Sequence, residues 1–123
     1  MNYGVESISR VVRKLVGDHQ PIMDSVQLKS TGAEYTLESG TVLGVITAED
    51  KHVQLDPAAA DGSDAAVCVL AMDVTVPAAG DEAAPVYIHG EMLEDGLIWP
   101  DGITEAEKKT AIAQLRGVGL FVI

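Results

Sequence analysis

The chain has 123 residues, 47% of them apolar and 4% aromatic, which fits one globular domain with a core built on Val, Leu, Ile and Ala and excludes a disordered chain. Eight Lys and Arg against nineteen Asp and Glu give a formal charge of −11, a balance that repels phosphate and argues against a body that binds nucleic acid or an anionic membrane. The single cysteine, Cys68, excludes an internal disulfide framework and a cysteine zinc site. It also points to a reducing compartment. No apolar run reaches the roughly 18–20 residues of a membrane helix. No apolar block or small-residue cleavage pattern follows the N-terminal charges, so a secretory signal is not expected.

Charge divides the chain. Residues 1–20 hold Arg10, Arg13 and Lys14 against Glu6 and Asp18, a net of +1, whereas residues 21–123 carry a net of −12. A slightly basic leader thus precedes a strongly acidic body, and residues 1–22 read as a flexible arm ahead of a domain at 23–123. Ile8, Val11, Val12, Leu15 and Val16 recur near helical spacing, with Ser9 as a cap. About three turns of helix are marginal alone in water, so the arm is expected to settle only on a partner.

The body reads mainly as strands. Val26-Gln27-Leu28 is one. Thr41–Thr47 is the clearest, and a turn at Ala48–Lys51 leads into Lys51–Leu55 as a hairpin partner. Asp56-Pro57 breaks that strand, and Asp61-Gly62-Ser63 is a turn. The apolar run 65–72 suits a buried strand, and Pro77–Glu82 a loop. Pro85–Gly90 predicts a strand with Val86 and Ile88 on one face and Tyr87 and His89 on the other. Thr104 and Glu107 form a capping box, followed by a helix that buries Ala111, Ile112 and Leu115 and turns Lys108, Lys109 and Gln114 to water. Gly117 or Gly119 ends it. Leu120–Ile123 is a last strand that must pair within the chain or with a neighbouring subunit. The fold class is therefore β-rich α+β: a compact domain of short strands with one C-terminal helix, preceded by a flexible arm.

Catalytic chemistry is sparse. His19, His52 and His89 have no metal-ligand spacing. His89 and Glu91 flank Gly90 at a strand end and read most simply as strand residues beside a turn. Asp56, Asp61, Gly62 and Asp64 resemble fragments of a calcium loop but lack its Asp-x-Asp-x-Asp-Gly run and closing Glu, so they read as turn caps. Gly40–Gly44 lacks the Gly-Lys-Ser/Thr of a phosphate loop. Cys68, among Val67, Val69 and Leu70, is an inert core thiol, and Trp99 is a packing anchor. Lys51 near a hairpin tip admits one alternative, a lipoyl- or biotinyl-type carrier with Lys51 modified. However, His52 stands where such carriers have a small or apolar residue, and the C-terminal helix does not suit that fold. No catalytic residue, metal or cofactor is expected.

From residue 26 onward the order of features resembles the lambda-type phage head decoration protein family. The resemblance rests on Gly40-Thr41-Val42-Leu43-Gly44 with Ile46-Thr47-Ala48, and on Asp56-Pro57-Ala58-Ala59 with Asp61-Gly62-Ser63. It continues through Ala65-Ala66-Val67 leading to Val69-Leu70, then His89-Gly90-Glu91. It ends with Leu97-Ile98-Trp99-Pro100 before Gly102-Ile103-Thr104 and the closing helix. It implies a structural protein made in the bacterial host cytoplasm. As a homotrimer, such a protein would bind the major capsid protein on the outer surface of an expanded phage or prophage head and stabilise it, without nucleic acid or membrane partners. By position, it also implies a capsid-binding arm carrying Arg10, Val11, Val12, Arg13, Lys14, Leu15 and Val16. The arm here is basic and apolar where the family's is rich in Ser, Thr and Pro. Strand addition would let main-chain hydrogen bonds hold such an arm while its apolar side chains set the register.

Overall fold

The computed structural model describes residues 15–17 and 20–123. Among them the chain forms β1 (Ile22–Leu28), β2 (Tyr35–Leu37), β3 (Val42–Ile46), β4 (Lys51–Gln54), β5 (Cys68–Leu70), β6 (Val74–Val76), β7 (Glu82–Met92), helix α1 (Glu105–Val118) and β8 (Leu120–Val122). A 3-10 turn at Glu94–Gly96 follows β7. The fold is β-rich with one long C-terminal helix, as the pattern of short apolar runs predicts.

The hairpin is present: β3 and β4 run antiparallel, aligning Leu43 with Gln54 and Ile46 with Lys51. Its turn holds Asp50 at φ 54°, a left-handed conformation that Asp tolerates better than most residues. β3 also pairs with β5, β5 with β7, and β7 with β1, while β1 returns to β4. These five strands close into a ring. β8 lies outside it, parallel to the far end of β7, with Gly90 beside Leu120 and Met92 beside Val122. The last strand therefore finds its partner within the chain. β2 and β6 form a separate antiparallel ribbon.

Side-chain alternation splits the interior in two. Leu43, Cys68, Leu70, Ala84 and Val86 cluster with Leu28 and Val76. Val42 and Val69, on the opposite face, cluster with Leu55, Met92, Leu97, Ala111, Leu115 and Leu120. Helix α1 covers this second cluster. Its capping box is formed: the Glu107 amide donates to Thr104 Oγ1 at 3.1 Å, and the Thr104 amide donates to Glu107 Oε1 at 2.9 Å. Gly119, left-handed at φ 104°, ends it.

Strand β7 changes phase part-way. Val86 and Ile88 face the first cluster and Tyr87 the second, as alternation predicts, but Met92 also belongs to the second. Against β1, Met23 aligns with Tyr87 while Ile22 aligns with His89. One extra residue in β7 makes a β-bulge there and turns the remaining side chains over.

Some expectations change. The run 65–72 gives the sheet only Cys68–Leu70, and ahead of it the Ala66 amide donates to Gln114 Oε1 at 2.9 Å. Gln114, expected to face water, instead ties the helix to the sheet. Strands β2 and β6, of three residues each, carry too little alternation to be legible in the sequence.

Candidate functional site

Of the expected arm residues, Arg10, Val11, Val12, Arg13 and Lys14 lie outside the described residues. Leu15 and Val16 lie inside them, on the protein's own sheet. Leu15 is buried in the second cluster, in which Met92 and Leu120 also lie. Val16 pairs antiparallel with Met92. The Leu93 amide donates to the Leu15 carbonyl at 2.6 Å, and the Gly17 amide to the Glu91 carbonyl at 2.9 Å. The opposite edge of β7 is taken by β8, whose Ile123 amide donates to the Met92 carbonyl at 2.9 Å. The end of β7 is thus held between the root of the leader and the last strand. A Cβ at position 17 would lie 2.9 Å from Cβ of Glu91 and 3.3 Å from Cδ1 of Ile123, so a side chain here would force the leader and β7 to shift apart.

Exposed apolar side chains lie on the neighbouring strands. Alternation in β8 sends Leu120 and Val122 inward and leaves Phe121 and Ile123 exposed. The Phe121 ring meets His89 edge-on, centroids 6.2 Å apart and planes at 85°. His89 stands opposite Ile22 across the β1–β7 pair, and Ile22 is exposed. Exposed large apolar side chains gathered at one place mark interaction surfaces more often than ordinary protein surface. The β8 contribution was legible from alternation, but its meeting with Ile22 was not, because that rests on pairing between distant strands.

The other candidates take structural positions. Asp61 accepts from the Ser63 hydroxyl at 2.5 Å and from the Ser63 amide at 3.0 Å, which hold its carboxyl below the usual range. Asp56 accepts from the Ala58 amide. Both are turn caps. Lys51 opens β4 and pairs with Asp81 at 2.9 Å, a bond that raises its pKa. It is therefore tied to the body rather than held out at a hairpin tip, as a carrier lysine would be. Burial, with a smaller contribution from Asp24, pushes the Cys68 thiol up to about 12, so it carries no thiolate at neutral pH. Trp99 is half-buried against the second cluster. Among the described residues no three His, Cys, Asp or Glu side chains are grouped to hold a metal, and no helix is long and apolar enough to cross a membrane.

A family model described as bacteriophage lambda head decoration protein D matches residues 16–120. No curated protein sequence matches the chain. The matched span runs from Val16, at the root of the leader, to Leu120, the first residue of β8, and so takes in β1 to β7 and α1 whole. The chain belongs to the bacteriophage lambda head decoration protein D family, whose members are structural components of phage heads.

Proposed function

We propose that the protein binds the outer surface of an expanded phage or prophage head as a homotrimer and stabilises it, with the major capsid protein as its partner. The observation that carries this reading is the family match over residues 16–120. The acidic body, with its net charge of −12 over residues 21–123, suits a soluble protein that acts away from DNA and membranes.

In this proposal residues 1–14 engage the capsid, and Leu15–Gly17 transmit the attachment to the core. Val11 and Val12 supply apolar anchors, while Arg10, Arg13 and Lys14 favour an acidic capsid patch. Because the Gly17 amide is bonded to the Glu91 carbonyl of β7 and the Leu15 carbonyl to the Leu93 amide just beyond it, force on the leader is delivered to the sheet rather than to a loose tether. Strand addition by the leader would combine main-chain hydrogen bonds with alternating side-chain contacts.

Co-sedimentation with expanded, undecorated heads tests the reading. The full chain is expected to sediment with heads and to raise the temperature at which they rupture. A chain starting at Arg13 is expected to keep its fold and oligomeric mass and to lose binding. Arg10→Ala with Arg13→Ala and Lys14→Ala should weaken binding most at low salt. Failure of the full chain to bind heads would overturn the proposal, and equal binding by the shortened chain would overturn the role of the leader. A monomeric mass in solution and on heads would overturn the trimer.

A further inference from the structure

The shortest joint in the ring of strands lies between β1 and β4. β1 aligns seven residues with β7, but only Leu28 aligns with β4, opposite His52. A hydrogen bond from the Lys29 amide to the His52 carbonyl, at 3.0 Å, continues the joint. Elsewhere along β1 a cleft of about 380 Å³ opens, lined by Asp24, Val26, Gln27, Asp50, His52 and Cys68. Two ion pairs brace the joint from outside: Lys29 to Glu49 at 2.8 Å and Lys51 to Asp81 at 2.9 Å. Asp81 also accepts from the Ser30 amide at 2.7 Å, so it links β4 to the chain leaving β1. Both pairs are partly exposed and are weakened by salt.

His52 Nδ1 is buried and, among the described residues, is the one buried side-chain nitrogen or oxygen without a hydrogen-bond partner. A neutral imidazole tolerates that position. A protonated one would carry an N–H donor with no acceptor into a place shielded from water. The charged and titratable groups around it are Asp50 in the turn, Lys51 beside it, Asp24 on β1 and Cys68 on β5. Glu82 of β7 stands opposite Leu28, and β3 presents Val45 opposite His52.

We infer that the β1–β4 joint is an acid-sensitive latch, in which protonation of His52 parts the two strands at Leu28 and opens the cleft onto Cys68. The inference concerns the free protein and does not rest on capsid binding. Burial holds the imidazole below its ordinary 6.5, against the opposing pull of Asp50. The closed joint therefore has its full stability above about pH 6.5 and loses it as pH falls through the lower folded value. Cys68 is almost wholly buried in the closed form, which makes its thiol a reporter. Trp99, packed on the other cluster, reports on the rest of the fold.

The experiment labels Cys68 with dithiodipyridine, which reacts with thiols in acid, from pH 7.5 to 5. Each rate is normalised to the urea-unfolded chain at the same pH. The expected result is a normalised rate that rises by up to about tenfold per pH unit below about 6.5, while Trp99 emission stays constant. His52→Phe should label at one slow rate throughout, and His52→Gln, without a titrating group, should also lose the pH dependence. Lys51→Met, which removes one of the two ion pairs, should label faster at neutral pH and lose part of the response to salt. A flat rate in the natural chain, the same rise in whichever His52 variant folds, or a rise seen only with loss of Trp99 emission would overturn the latch.

Discussion

The Leu93 amide donates to the Leu15 carbonyl at 2.6 Å, and the Leu15 side chain is buried in the cluster under α1. A residue from the basic leader therefore belongs to the core. This gives the leader two parts with different consequences when removed.

Replacing Leu15 with Ala is expected to cost about 2–5 kcal/mol, the range for a large apolar side chain lost from a core. A chain beginning at Arg13 should unfold at the same urea midpoint as the full chain, whereas one beginning at Met23 should lose at least as much stability as Leu15→Ala. Equilibrium unfolding of the four proteins checks the order. Equal midpoints for all four would show that Leu15 contributes nothing to the fold.

Gly44 in β3 has no room for a side chain. A Cβ there would lie 2.5 Å from the Ser63 carbonyl oxygen and 2.8 Å from Ser63 Cα, which are backbone atoms that cannot swing aside. Gly44→Ala is expected to destabilise the fold by about 1–3 kcal/mol. Gly80→Ala, where a Cβ meets nothing within 4 Å, should be neutral or stabilising by up to about 1 kcal/mol. Thermal melts of the pair measure the contrast.

Thr104→Ala removes the acceptor for the Glu107 amide and should cost about 1 kcal/mol through loss of the helix cap. Thr104→Ser, which keeps the oxygen, should recover most of it. Urea midpoints followed by far-UV circular dichroism separate the two.

The Ser30 amide, then Lys51, hold the Asp81 carboxyl below its ordinary 3.8. A group with a depressed folded pKa contributes stability above its unfolded value and loses that contribution as pH falls through the folded one. The stability difference between the natural chain and Asp81→Asn should therefore be constant from pH 8 to 5 and shrink below about pH 3.8. Urea unfolding across that range checks it. A difference that persists unchanged into strong acid would show that Asp81 acts through its shape rather than its charge.

Local pattern in the sequence determined the β3–β4 hairpin, the first half of β7, and α1 with its capping box, because each depends on neighbours a few residues away. The same local order of motifs carried the family resemblance. Only the tertiary structure decided the rest. Leu15 reads as one more apolar residue of a short amphipathic leader until Leu93 and Met92 are brought beside it. The bulge that turns Met92 toward the second cluster arises from register against β1, which no alternation within β7 announces. Gln114 reads as a solvent-facing helix residue until the Ala66 amide leaves the sheet and needs an acceptor. His52 reads as an ordinary strand residue until β1 returns to close the ring at Leu28. In each case the deciding partner is distant along the chain, and the energy comes from burial and hydrogen bonding that exist only after the strands have met.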